Sequence, residues 1–173
     1  MDGVITTGKA STGFWADLVG ASDRWGRTIL FATVLGRLAI LPVVALIYIL
    51  VPGTTGEGYS GELTDLGPAE LVAALLVAPL VESLIIVFLV WLVGIRLGAP
   101  VWLTALLTAA VFVPMHGLVL VSLIIAPLFA LMAAIQMNWR RKGREWTGFW
   151  IITAIHFLGN LSAVALTAIM PAP

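Results

Sequence analysis

Residues 101–137, VWLTALLTAAVFVPMHGLVLVSLIIAPLFALMAAIQM, contain no Asp, Glu, Lys or Arg. The stretch far exceeds the roughly 20 residues that one helical crossing of a bilayer requires. Pro114 and the pair His116-Gly117 interrupt it, so it reads as two spans joined by a tight turn. Outward from there, comparable apolar runs lie at 28–51, closed by Pro52-Gly53, at 68–95, closed by Arg96-Leu97-Gly98-Ala99-Pro100, and at 146–170. The expected fold is all-α: a polytopic membrane helix bundle of about five transmembrane helices.

Composition leads to the same environment. Of 173 residues, 61% are hydrophobic and 10% charged, with a mean hydropathy of +1.09. Such a chain has too little polar surface to cover a water-soluble globule. Residues 1–27 form a polar, interfacial N-terminal segment, and 28–173 form a single transmembrane domain without repeats or a low-complexity linker. Within the first segment, 12–27 place Phe14, Trp15, Leu18, Val19 and Trp25 among charges and read as a short interfacial helix. The polar stretch ahead of the first long apolar run marks that run as a retained span, not a cleaved signal. The chain has no cysteine, which excludes disulfides, thiol catalysis and cysteine-ligated metals.

Orientation follows from the basic residues, which cytoplasmic loops retain. With five spans, Lys9, Arg24, Arg27, Arg96, Arg140, Arg141, Lys142 and Arg144 fall on one side. The N-terminus is then cytoplasmic and the C-terminus outside, in a cytoplasmic (inner) membrane. Trp25, Trp91, Trp102, Trp139 and Trp146 lie near the same boundary, as an interfacial aromatic belt would. The outer loop 52–67 carries Glu57, Glu62 and Asp65. Glu70, in the first turn of the next helix, suits the helix dipole.

Against this background the polar groups at membrane depth stand out, because each is costly there and is by default a functional candidate. They are Glu82 and the chain's only two histidines, in Phe112-x-x-x-His116 and His156-x-x-x-Asn160. At about 1.5 Å per residue, Glu82 lies roughly 21 Å along its helix from Arg96, His156 roughly 18 Å from Arg144, and His116 roughly 24 Å from Pro100. Three helices thus deliver polar groups to one layer. Asn160 shares the His156 face one turn further out, and Phe112 forms a wall below His116. Arg37, the one basic residue inside a span, lies roughly 15 Å along its helix from Arg27, within reach of that layer.

Pro79-x-x-Glu82, Phe112-x-x-x-His116 and His156-x-x-x-Asn160, with the basic turn Arg140-Arg141-Lys142-Gly143-Arg144 before the last, resemble the CAAX-protease and bacteriocin-processing family of intramembrane endopeptidases. The resemblance covers about 68–165. It implies metal-independent peptide hydrolysis, with Glu82 as general base on a water, His116 holding that water, and His156 and Asn160 stabilising the oxyanion. It also implies that no cofactor is needed. The first motif departs from the family's Glu-Glu-x-x-x-Arg: Ser83 stands for the second carboxylate and Val87 for the arginine. A buried carboxylate needs a cation nearby to stay charged, and Arg37 is the residue placed to supply one.

Other intramembrane chemistries lack their residues at membrane depth: no span contains His-Glu-x-x-His, Gly-x-Ser-Gly or an aspartate, and the Gly58-Tyr59-Ser60-Gly61 stretch lies in the outer loop. Two imidazoles and a carboxylate could also hold a metal ion, but Asn160 is a poor zinc ligand, and the reading is metal-free. Phosphate-binding loops and nucleic-acid patches are absent. Two leading functions remain, ahead of a transporter or immunity-type protein. One is cleavage of a membrane-associated peptide or protein. The other is a catalytically degenerate scaffold or accessory subunit of a larger membrane complex, in which an Arg37–Glu82 ion pair fixes helix register. Membrane lipids are partners in both.

Overall fold

The computed structural model describes residues 23–50, 67–116 and 120–169. The expected outer loop and most of the expected interfacial helix lie outside them. Among the described residues five helices run in order: α1 (Trp25–Leu50), α2 (Pro68–Arg96), α3 (Val101–Met115), α4 (Ala126–Arg141), entered through a 3₁₀ stretch at Leu120–Ile125, and α5 (Glu145–Ile169). There is no strand among the described residues. Trp25–Arg27, expected to close the interfacial segment, instead open α1.

Three stretches, Pro68–Arg96, Ser122–Arg141 and Glu145–Ala165, are long and apolar enough to cross a membrane, which marks a multi-pass membrane protein. The expected break after Pro114 is present, since α3 ends at Met115. However, α3 has 15 residues, a rise of about 22 Å, so it falls short of the full crossing expected of it. A hydrocarbon core of about 30 Å needs more.

Helix α4 is the hub. It packs against α1, α2, α3 and α5, and its buried residues, among them Leu128, Phe129, Met132, Ile135, Gln136 and Trp139, lie around most of its circumference, as a central helix requires. Helix α2 offers one stripe, Pro79, Ser83, Ile86, Val90 and Gly94, and turns Leu80, Leu84 and Phe88 outward. Close approach depends on two glycines. A Cβ on Gly94 would stand 2.7 Å from the Met137 side chain, and one on Gly148 would stand 2.5 Å from Gln136 Oε1 and 2.8 Å from Trp139 Cβ. The buried hydroxyls of Thr108 and Thr153 bond the carbonyls of Thr104 and Phe149, both at 2.8 Å, so they burden no neighbour with an unmet polar group.

Asp23 pairs with Lys142 at 3.2 Å and Arg144 at 3.4 Å, and Gly94 abuts Met137. The start of α1, the α2–α3 junction and the α4–α5 turn therefore gather at one end. Trp25, Trp91, Trp102 and Trp146 are exposed in this region, but Trp139 is fully buried, a correction to the expected belt. Its position on the hub helix puts it inside, with Lys142 and Arg144 over its ring at 4.7 and 4.8 Å.

Candidate functional site

Helix α2 is not a uniform α-helix. Two wide π-helical stretches, Ala73–Val77 and Val90–Arg96, bracket the α-helical segment Ala78–Leu89 that carries Glu82. Pro79 accounts for the first. In a regular turn its ring would press on the carbonyl of Leu75, and a wider turn relieves the clash. The wide turn faces Ala74, Ala78 and Glu82, four residues apart, into one cavity of ≈ 370 Å³, whose lining also includes Arg37, His116, Phe129, His156 and Asn160.

Glu82 Oε2 lies 3.7 Å from His156 Nε2 and 3.9 Å from His116 Nε2. These separations exceed a direct hydrogen bond and suit a shared water. The structure thus brings Glu82, His116, His156 and Asn160 to one cavity. The two imidazoles differ in exposure: the His156 side chain is 5% exposed and that of His116 34%, so one sits deep and the other at the mouth.

Their hydrogen bonds give the imidazoles opposite polarity. His116 caps the end of α3, and its Nδ1 lies 3.0 Å from Phe112 O. A carbonyl oxygen only accepts, so Nδ1 carries the proton and neutral His116 turns an acceptor, Nε2, toward Glu82. Its own carbonyl accepts from Ser122 Oγ at 3.1 Å, which ties the ring's backbone to the next element. His156 Nδ1 is buried without a hydrogen-bond partner. A proton there would be stranded, so the favoured tautomer carries it on Nε2, which becomes a donor facing Glu82. Glu82 Oε2 is likewise buried without a hydrogen-bond partner.

Arg37 lines the cavity and lies against Gly159 of α5, and Glu82 has ion-pair contacts with the two imidazoles. Arg37 and Glu82 thus share one cavity, with α1 bringing the guanidinium to the wall beside α5. Two expected roles are corrected. Ser83 points away from the cavity into the packed stripe of α2, with its hydroxyl buried and unpartnered. Neighbours on a helix differ by about 100°, so residues 82 and 83 cannot share a face. The Phe112 ring does not wall His116; its carbonyl orients the imidazole.

The ring between the histidines is Phe129. It stacks on Phe112 at 4.1 Å between centroids and 11° between planes, and stands 5.5 Å from both His116 and His156, edge-on to the latter. No sequence pattern sets Phe129 apart from the other apolar residues of its helix. Ser122 was equally hidden, as one hydroxyl in a long apolar run.

Asn160 Nδ2 donates to Ala74 O at 2.8 Å, so the residue reaches into the wide turn of α2. Among the described residues, no group of three His, Asp or Glu is disposed to hold a metal ion. No family model, curated protein or solved structure matches this chain.

Proposed function

We propose that the protein is an intramembrane endopeptidase of the CAAX-protease and bacteriocin-processing type, in which Glu82 activates a water to cleave a membrane-associated peptide. The observation that carries this reading is the Glu82 carboxylate flanked at 3.7 and 3.9 Å by two imidazoles. Glu82 accepts a proton as the water oxygen attacks the scissile carbonyl carbon, and His116 Nε2 accepts the water's second hydrogen bond. His156 Nε2–H donates to the oxyanion, where a preorganised donor in a dry site counts most. As the C–N bond breaks, Glu82 returns its proton to the leaving amine.

The five-helix bundle sits in the cytoplasmic membrane with its N-terminus and basic residues inside, the short α3 reaching only part of the way across by itself. Single cysteines introduced at Gly58 and Pro173 are then labelled from outside by an impermeant thiol reagent, and one at Gly143 is protected. The reverse pattern would invert the topology.

A second reading, an inactive scaffold of a larger membrane complex, draws support from the first motif: Ser83 and Val87 replace an acid and a base, and the Ser83 hydroxyl meets no partner. One experiment separates the two. Reconstituted protein and its Glu82→Gln variant are incubated with a library of membrane-inserted peptides, and new termini are read by mass spectrometry. Termini made by the parent and missing with the variant establish the peptidase. Equal output, with a stoichiometric partner retained in mild detergent, establishes the scaffold.

A further inference from the structure

Pro79 and Asn160, from motifs far apart in the chain, bear on one backbone atom. Within the π-helical turn the Ala78 N–H is committed to Ala73 O. The next donor in a π pattern, five residues beyond Ala74, is residue 79, and proline has no N–H. Ala74 O is therefore left without a backbone donor by the residue type at 79. In lipid an unmet carbonyl costs several kcal/mol. Asn160 Nδ2, reaching across from α5, donates to this oxygen at 2.8 Å.

The geometry points to Asn160 as a positioning residue: its amide substitutes for the N–H that Pro79 lacks and so holds the wide turn that directs Glu82 into the cavity. This rests on the reading of Glu82 as general base, and it gives Asn160 a task on the enzyme's own backbone in place of one on the substrate. The leverage is rotational. A π turn holds one residue more than an α turn, so rewinding Ala73–Val77 to α geometry rotates the Glu82 segment by about 100° relative to the start of α2. Glu82, eight residues beyond Ala74 on the same lining face, would leave the two imidazoles. The second wide stretch, Val90–Arg96, which contains the packed Gly94 contact, begins where the Glu82 segment ends, so that segment lies between two wide turns.

The test is a cycle of four full-length proteins in bilayers: parent, Asn160→Ala, Pro79→Ala and the double variant, with Asn160→Asp as an isosteric control that offers an acceptor where a donor is needed. Two readouts are taken. One is peptide cleavage. The other is the ring ¹⁵N spectrum of the only two histidines, which senses the Glu82 carboxylate with no substrate present. Asn160→Ala and Asn160→Asp should lower cleavage by on the order of ten-fold, the equivalent of one hydrogen bond. Both should also move the imidazole nitrogens toward their positions in Glu82→Gln. In the double variant the restored N–H of residue 79 can serve Ala74 O, and both readouts should return most of the way to parent values.

Additive losses in the histidine spectrum, with no recovery in the double variant, overturn the inference. So does a spectrum that recovers while cleavage stays lost, because Asn160 would then act on the substrate. Should the parent cleave nothing, the proposed peptidase fails, and the spectral cycle still decides whether Asn160 and Pro79 are coupled.

Discussion

At the turn from α4 to α5 the chain closes on local bonds. The Gly143 N–H bonds Arg140 O at 2.8 Å and the Arg144 N–H bonds Trp139 O at 3.0 Å, while Gly143 takes the left-handed φ of 69° that completes such a helix end. Arg140 and Glu145 close it with an ion pair at 2.6 Å. Around Glu82 little closes locally beyond the His116 Nδ1–H bond to Phe112 O. Glu82 Oε2 and His156 Nδ1 are buried without hydrogen-bond partners, a carbonyl of α2 is met from α5, and the helix carrying the carboxylate is wound too wide on both sides. The first region satisfies its backbone for stability. The second leaves polar capacity unspent in an apolar layer, which persists only when the surroundings over-determine it.

Changing residues at each end should separate the two regimes. The largest effect belongs to Glu82→Gln, which should reduce cleavage by about 10²- to 10⁴-fold, the usual share of a general base, while thermal unfolding in bicelles stays near the parent value. A collapse of the fold in this variant would erase the contrast. Phe129→Ala is next, since it removes the ring between both histidines. Its cost should be about 3–5 kcal/mol if soluble-protein values transfer to the bilayer, measured by equilibrium unfolding and accompanied by broadened imidazole resonances. Gly148→Val, which drives a side chain into Gln136 and Trp139, should cost about 1–3 kcal/mol and leave the histidine spectrum unchanged; a shifted spectrum would join the two ends. Asp23→Asn should cost no more than about 1 kcal/mol, an effect that vanishes at high salt, because Asp23 is a surface partner of Lys142 and Arg144.

The convergence of Glu82, His116 and His156 was legible from counting residues along helices, because depth in a bilayer is set by rise per residue alone. The break after Pro114 was legible for a similar reason: proline and glycine act on their own backbone. The hidden features depended on a second helix. Trp139 borders a charged turn, yet it is buried because α4 became the hub, and no local feature foretells which helix others surround. Arg37 matched the layer in depth, but depth carries no azimuth, and only the fold places the guanidinium at the cavity wall beside α5. Ser83 fell to the packed stripe by the same rotational logic. The partner of Asn160 is a main-chain oxygen, which has no residue type to read, although Pro79 signals that an oxygen nearby lacks its donor.

The scattering of the cluster along the chain also has a meaning in time. Glu82 is synthesised first, His116 next and His156 with Asn160 last, on α5. While the nascent chain enters the membrane, the carboxylate has only one of its imidazoles, and the Ala74 oxygen awaits its donor. On the proposed reading, a hydrolytic centre built in this order stays incomplete until its final helix docks, and biogenesis itself would guard neighbouring nascent peptides from premature cleavage.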